Sequence, residues 1–232
     1  MQHASGIDAW RGLSVALVVL HHVAIRLPLA DSALAAVVPA RALSAANWNG
    51  YEAVCVFFVI SGFLITTHTL DRDGDARSVR PAPFWVRRFA RIAPPLAVVV
   101  AVLSALHLAG VEHYVIQDPD QSLLGAIVSA STLWLNWYEG HTGYLPGGWD
   151  VLWSLSVEEV FYLAFPLVVL ACRDERVLAG VGLAFALTMP VTHGWNHDLP
   201  IWREKHYLPG MAAIALGVAT AVAARQSWLS PA

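Results

Sequence analysis

Charged residues are scarce in this chain. Only 13% of its 232 residues are Asp, Glu, Lys or Arg, whereas 57% are hydrophobic. In soluble globular domains about a quarter of the residues are charged. The scarcity therefore excludes an ordinary soluble domain and predicts an integral membrane protein.

Cysteine is almost absent as well. Cys55 lies inside one apolar stretch and Cys172 at the end of another, and the two form neither a disulfide framework in loops nor a Cys-x-x-Cys pair. We therefore expect no disulfide and no metal site. The formal charge of −3 and the lack of a long basic tract also argue against a nucleic-acid partner.

Apolar stretches recur along the whole chain and predict an all-α fold, a polytopic transmembrane helical bundle with six or seven membrane segments. We treat residues 1–232 as one membrane-embedded domain. A cleaved signal peptide is the alternative for the first stretch, but its only early basic residue, Arg11, follows Asp8, which disfavours it. The stretches cover residues 9–29, 53–70, 92–111, 122–138, 151–171, 177–192 and 208–224.

Arginines are concentrated between the second and third stretches, where six occur from residue 72 to residue 91. The positive-inside rule places this loop, and with it the N-terminus, in the cytoplasm. The stretch 122–138 either crosses the membrane or re-enters from the outer side. We favour re-entrance because its polar residues suit a buried segment, and because Arg173 and Arg176 then also lie in the cytoplasm.

Arg11 and His22 share one face of the first predicted helix. Eleven residues at about 100° each return close to the starting azimuth while rising about 16 Å. Arg11 is then cytoplasmic, and His22 lies about half-way through the hydrocarbon core, where ionisable groups usually mark a site or pathway. A structural histidine bonded to a backbone carbonyl is the alternative. His21 is displaced by about 100° and is expected to face another element or the lipid interface.

Two adjacent carboxylates, Glu158 and Glu159, lie in a stretch rich in Trp, Phe and Leu. If the helix begins near Asp150 on the outer side, Glu159 lies about 13 Å inward and is predicted to meet His22 near the midplane. Such carboxyls are candidate acids, bases or orienting groups. In the alternative, one Glu is interfacial and the other anchors helices through a hydrogen bond.

Two further motifs have both a structural and a functional interpretation. Arg88 and Arg91 share a face at the inner end of the third helix, where guanidinium groups suit phosphate. A basic patch of this kind also fixes topology and binds anionic lipid. Ser61 and Gly62 interrupt a tightly apolar helix, which indicates close helix packing or a passage for a thin, flexible ligand.

The sequence resembles the membrane-bound acyltransferase family 3 in four motifs that follow one another in family order. They are Arg11 with His22 after ten intervening residues, FFVISGFLIT at 57–66, RRFARIAPP at 87–95 and WSLSVEEVFYLAFP at 153–166. HYLPGMAAIALG at 206–217 is a looser match, and Val160 stands where a glutamine is common. The chain is shorter than family members, so C-terminal helices are expected to be missing, either because it is a fragment or because it is a shortened relative.

The resemblance implies transfer of an acyl group, most often acetyl, from cytoplasmic acyl-CoA to a hydroxyl of an extracytoplasmic carbohydrate or glycolipid, without a metal. His22 would act as general base or carry the acyl group covalently, Glu159 would orient the histidine or the acceptor hydroxyl, and Arg11 would position the donor or pair with Asp8. The implied donor-binding residues are Arg88, Arg91, Ser61 and Gly62, and the implied acceptor-binding residues are Trp153, Ser154, Glu158 and Tyr162.

We expect the protein in the bilayer of a bacterial inner membrane, with a cytoplasmic N-terminus. Two other functions remain open at this point. A transporter or lipid flippase would use an intramembrane histidine and carboxylate to relay protons or bind substrate. A non-catalytic remnant would keep the helices only as a scaffold.

Overall fold

The structure is a computed structural model that describes residues 5–194 and 200–226. Within these residues the fold is helical and contains no strand. The helices are α1 (Ser5–Ala24), α2 (Ala40–Trp48), α3 (Gly50–Asp73), α4 (Pro81–Leu108), α5 (Leu123–Ser131), α6 (Leu135–Thr142), α7 (Trp153–Cys172), α8 (Glu175–Ala186), α9 (Met189–Gly194), α10 (Pro200–Lys205) and α11 (Tyr207–Arg225).

Local sequence signals set several helix ends. Pro81 occupies the first turn of α4, where its missing N–H and fixed φ are tolerated. The Asp174 carboxylate caps α8 by accepting from the backbone N–H of Arg176 at 2.7 Å. Gly74 follows α3 with a φ of 90°, a value that favours glycine. The end of α3 and the starts of α4 and α8 are therefore determined by local sequence.

Six stretches of the described residues are long and apolar enough to cross a bilayer. This confirms the predicted all-α polytopic bundle. One end of it, the arginine-rich end, gathers the chain segments that carry most arginines. There Arg225 donates to Asp71 at 2.6 Å, and Arg77 donates to the carbonyl oxygen of Arg173 at 3.1 Å. The six stretches are Gly6–Ala24, Gly50–Asp73, Pro81–Leu108, Asp150–Cys172, Glu175–His193 and Ile201–Arg225.

The stretch predicted at 122–138 folds as a short helical hairpin, α5 and α6. With nine and eight residues, the helices are only about 13 and 12 Å long, far short of a hydrocarbon core of about 30 Å. The chain turns back at Leu133, whose carbonyl oxygen accepts from the Tyr207 hydroxyl at 2.6 Å. Both ends of the hairpin lie together at the end of the bundle opposite the arginines, which is the geometry that a re-entrant segment requires.

Helix α11 occupies the centre of the bundle. It packs along α3 and also against α8, whereas α1 covers the other side of α3 and α4 lies at the periphery. Glycines allow this approach, since a Cβ at Gly62 would overlap the carbonyl oxygen of Ile214, and one at Gly217 would overlap that of Val59. Gly62 is therefore a packing residue.

Replacing Gly62 by alanine is expected to lower the stability of the bundle by about 1–3 kcal/mol, the usual penalty for overpacking. Thermal unfolding of the detergent-solubilised protein would measure the loss. Gly180→Ala is the matched control, because a Cβ at this helical glycine meets no heavy atom within 4 Å. Equal melting temperatures for the two variants would contradict the packing role.

Candidate active site

Two cavities follow each other along the seam formed by α1, α3 and α7. The first, the arginine cavity, has a volume of about 180 Å³ and lies towards the arginine-rich end. The second, the histidine cleft, has a volume of about 860 Å³ and opens at the opposite end. The arginine cavity is lined by Arg11, Phe57, Ser61, Leu64, Ile65, His68, Arg88, Arg91, Ile92, Leu155, Glu158 and Tyr162. Residues that line the histidine cleft include His21, His22, Arg26, Trp48, Tyr51, Glu112, Tyr144, Asp150, Trp153, Glu204 and Lys205.

Glu158 is the carboxylate of the arginine cavity. One of its oxygens accepts from the Ser61 hydroxyl at 2.7 Å, and the other accepts from the Tyr162 hydroxyl at 2.5 Å. The Arg88 guanidinium lies 5.3 Å from the centre of the Tyr162 ring, within cation–π distance. The cavity therefore combines a fixed carboxylate with three guanidinium groups, since Arg11 and Arg91 also line it.

Glu159 lies elsewhere, and the predicted meeting with His22 is wrong. Its side chain lines an apolar groove along α4, together with Trp85 and Leu163, whereas His22 lines the histidine cleft. One oxygen of Glu159 is buried without a hydrogen-bond partner among the described residues. Adjacent helical residues differ by about 100° in azimuth, and the rotation of α7 turns Glu158, not Glu159, into the seam.

His22 has its ring fixed by its own helix. Its Nδ1 is 2.7 Å from the carbonyl oxygen of Val18, and because a carbonyl can only accept, Nδ1 carries the hydrogen. In the neutral ring Nε2 is then the lone-pair nitrogen. The hydrogen bond to a backbone carbonyl, which a structural histidine would make, is thus present. It uses Nδ1 only, so Nε2 is left for chemistry in the cleft.

His21 also borders the histidine cleft, but it is held by neighbouring elements. Its Nδ1 hydrogen-bonds to the carbonyl oxygen of Asn47, and its ring covers Gly50 at the start of α3. His21 therefore faces another element, one of the two predicted environments.

Arg11 makes the predicted ion pair with Asp8, and its predicted role in positioning the donor stays a prediction. Its guanidinium lies 3.9 Å from the Asp8 carboxylate, a loose and exposed ion pair, and it also lines the arginine cavity. Among the other predicted site residues, Trp153 lines the histidine cleft and stacks on Tyr51 with ring centres 6.4 Å apart. Ser154 donates to the carbonyl oxygen of Val151 at 3.2 Å and lines neither cavity.

Gly62 does not line the arginine cavity either. It faces the backbone of α11, which corrects its predicted place among donor-binding residues. Ser61, one position earlier, faces the seam and reaches Glu158. The two residues of this dipeptide therefore serve different purposes, packing on one side of α3 and polar contact on the other.

A buried ion triad beside the histidine cleft escaped the sequence analysis. The Lys205 ammonium, with 2% of its side chain exposed, contacts the Glu139 carboxylate at 2.6 Å and also the Asp150 carboxylate. Burial raises the pKa of Glu139, and Lys205 opposes this shift. The available signal was that Lys205 is the only lysine in the chain and lies between apolar stretches. No group of three metal-ligating side chains occurs in the part of the chain that the structure describes.

The fold and these cavities define a class, a polytopic helical membrane protein with a charged cavity at one end and a polar, histidine-containing cleft at the other. Residues 5–228 match the family model of the Acyltransferase domain. The chain therefore belongs to the acyltransferase family 3, as its motifs predict.

Curated relatives carry matching names. A protein of Staphylococcus aureus (strain COL), named provisionally as an O-acetyltransferase, is 27% identical over 175 residues, 72% of this chain and 25% of the relative. Peptidoglycan O-acetyltransferase OatA of Listeria monocytogenes is 29% identical over 162 residues, 62% of this chain and 25% of the relative. O-acetyltransferase OatA of Staphylococcus aureus is 31% identical over 137 residues, 53% of this chain and 21% of the relative.

The chain spans about a quarter of the length of the curated relatives it matches. No solved structure matches it significantly. The comparisons therefore establish the family.

Proposed function

We propose that the chain forms the membrane part of an O-acyltransferase, which moves an acyl group, acetyl in the first instance, from cytoplasmic acyl-CoA to a hydroxyl of an extracytoplasmic carbohydrate or glycolipid. The observation that carries this proposal is the succession of the two cavities along α1, α3 and α7. A reaction with its donor on one side of the membrane and its acceptor on the other needs such an arrangement.

The orientation follows from charge. The arginine-rich end is cytoplasmic by the positive-inside rule, which puts the N-terminus in the cytoplasm and the histidine cleft outside. The relatives reported above are bacterial, and we assign the protein to the bacterial cytoplasmic membrane.

The arginine cavity is the donor side of the proposal. Guanidinium forks bind phosphate oxygens through paired, charge-assisted hydrogen bonds, so Arg88 and Arg91 suit the phosphates of acyl-CoA. The pantetheine arm, a thin and flexible chain, would pass Ser61 and the Arg11 side of α1 towards the histidine cleft. Glu158, fixed by Ser61 and Tyr162, shapes this passage and replaces Glu159 as the carboxylate of the path.

The acceptor hydroxyl requires a base because it is a poor nucleophile at neutral pH. Nε2 of His22 accepts the hydroxyl proton while the oxygen attacks the thioester carbonyl. The new C–O bond forms, the C–S bond breaks, and the proton passes from His22 to the departing thiolate. If the imidazole attacks first, the C–S bond breaks, the CoA thiolate leaves, and Nε2 carries the acyl group. The acceptor hydroxyl then attacks the acyl carbonyl, the C–N bond breaks, and the released Nε2 takes up the hydroxyl proton and passes it to the thiolate.

Acetyl transfer by the purified protein tests the function directly. With radiolabelled acetyl-CoA as donor and chitopentaose as a soluble hydroxyl-bearing probe, we expect label in the oligosaccharide. The probe is chosen because the Listeria relative is named for acetylation of peptidoglycan, a glycan. If no label is transferred to the probe or to glycolipid extracts, and a sugar moves across proteoliposomes instead, the transporter alternative replaces the proposal.

Removing either cavity arginine is expected to weaken acyl-CoA binding. Arg88→Ala and Arg91→Ala should each raise the dissociation constant about tenfold, since a hydrogen bond between charged groups contributes about 1.5–3 kcal/mol. Isothermal titration with acetyl-CoA measures the change. Arg87→Ala is the matched control, because Arg87 is exposed and lines no part of the cavity. Equal affinities for all three variants would reassign the arginines to topology.

A further inference from the structure

Asp150 has one carboxylate oxygen available in the histidine cleft. Its other oxygen, Oδ1, contacts the ammonium of Lys205, and 27% of the Asp150 side chain is exposed. Among the described residues none donates a side-chain hydrogen bond to the second oxygen. Asp150 is therefore held at one side and open to the cleft at the other.

Lys205 cannot itself bind a ligand in this arrangement. Its ammonium has three N–H donors, and it faces two carboxylates, those of Glu139 and Asp150, together with the ring of Tyr144 at 4.5 Å. Glu139 is held in turn, since its other oxygen accepts from the backbone N–H of Leu145 at 3.0 Å. Lys205 thus fixes the position of Asp150, and the oxygens of a carboxylate can only accept hydrogen bonds.

The remaining surface of the cleft suits a sugar ring. The aromatic side chains of Trp48, Tyr51 and Trp153 line it, and the C–H groups of a pyranose can pack against aromatic side chains. Pockets that combine apolar faces with a few placed polar groups orient their ligands through the polar groups. The open oxygen of Asp150 supplies such a group for hydroxyls.

The charges of the cleft disfavour an acidic sugar. Three carboxylates and two cations line the cleft. One of the cations, Lys205, also forms an ion pair with Glu139, which lies outside the cleft lining. Apart from the Lys205–Asp150 pair, the charges that face a ligand are those of Glu112, Glu204 and Arg26, and their sum is negative. An uncharged or amino sugar avoids the repulsion that a uronic acid would meet there.

We propose that Asp150, positioned by Lys205 and Glu139, is an acceptor-binding residue that accepts hydrogen bonds from the hydroxyls of an uncharged or amino saccharide. The proposal rests on the proposed function and names the acceptor side of the same reaction. It predicts that loss of the Asp150 carboxylate weakens binding of the acceptor and does not change binding of the donor.

The variant Asp150→Asn separates acceptor binding from donor binding. The asparagine oxygen still accepts from Lys205, so the fold is retained, but an NH₂ group replaces the open oxygen and cannot accept from a hydroxyl. We expect KM for chitopentaose to rise at least about tenfold, while the dissociation constant of acetyl-CoA, measured by isothermal titration, stays within about twofold of the wild-type value. Asp120→Asn, at an exposed carboxylate outside the cleft, is the matched control.

A second measurement does not depend on turnover. Chitopentaose should quench tryptophan fluorescence of the wild type, and the Asp150→Asn variant should need about ten times more sugar for the same effect. Tetragalacturonic acid, an acidic oligosaccharide, should be a poor ligand and a poor acceptor for the wild type.

The outcomes distinguish the two proposals. A wild type that acetylates chitopentaose, combined with an unchanged KM in Asp150→Asn or with equal use of tetragalacturonic acid, overturns the role of Asp150 alone. A parallel loss of acetyl-CoA binding and acceptor use in the variant also overturns it, because this pattern indicates a structural defect. A wild type that transfers no acetyl group to any acceptor overturns the proposed function instead.

Discussion

Replacing His22 by alanine is expected to lower acyl transfer at least about 100-fold, because a positioned general base typically contributes 10²–10⁴ to the rate. The variant keeps α1 intact, since alanine is a good helix former and the lost hydrogen bond is to the backbone of the same helix. Transfer of radiolabelled acetyl to chitopentaose, measured per folded molecule, gives the ratio. Binding of acetyl-CoA should persist, because the cavity arginines remain.

His21→Ala is the control for this experiment. The His21 ring fills the space above Gly50 and bonds to the carbonyl oxygen of Asn47, so its loss should reduce stability. Turnover per folded molecule should change less than about threefold. Equal transfer by the His22 and His21 variants would remove His22 from the chemistry and leave it as a ring anchored to its own backbone.

The helices themselves were predictable because hydrocarbon length and backbone hydrogen bonding permit few alternatives within a bilayer. The hairpin at residues 122–138 agrees with the geometry that re-entrance requires, and re-entrance was favoured because arginine placement restricts the number of crossings between residues 91 and 173. The pairing of Arg11 and His22 with one side of α1 followed from helix geometry alone. Each of these inferences uses only local periodicity or charge.

The rotation of one helix against its neighbours was not predictable in this way. Glu158 and Glu159 lie in the same turn, and their sequence surroundings are almost equally apolar. The choice between them depends on which face of α7 meets α3, and this is settled by the contact with Ser61. The different roles of Ser61 and Gly62 were unpredictable for the same reason. Ser61 faces the seam and Gly62 faces α11, and the sequence does not show which side of α3 meets which neighbour.

The ion triad depends on contacts between distant segments. Lys205 lies 66 residues from Glu139 and 55 from Asp150 along the chain. No helical periodicity links such positions. Only the return of the α5–α6 hairpin to the opposite end of the bundle brings them together, so the triad could not be found before the tertiary structure was known.

Replacing Lys205 by methionine should therefore cause the largest loss of stability, about 3–5 kcal/mol, because it leaves a buried carboxylate without its counter-charge. Glu139 is 0% exposed, and without Lys205 its pKa would rise further, since the opposing positive charge is gone. A folded-state pKa above the unfolded value means that the folded state binds more protons. Stability then falls as the pH rises from the unfolded towards the folded pKa, so the loss should be smaller at pH 5 than at pH 8.

Thermal unfolding in detergent at the two pH values measures this difference, and the double variant Lys205→Met, Glu139→Gln provides its control. In the wild type the backbone N–H of Leu145 donates to Glu139 at 3.0 Å. Glutamine at position 139 keeps an oxygen that can accept this hydrogen bond, and its side chain carries no charge. The double variant should recover part of the lost stability at pH 8, and its remaining deficit should depend less on pH. A single variant that is as stable as the wild type at both pH values would show that the triad does not hold the hairpin, and the wall of the histidine cleft would then need another support.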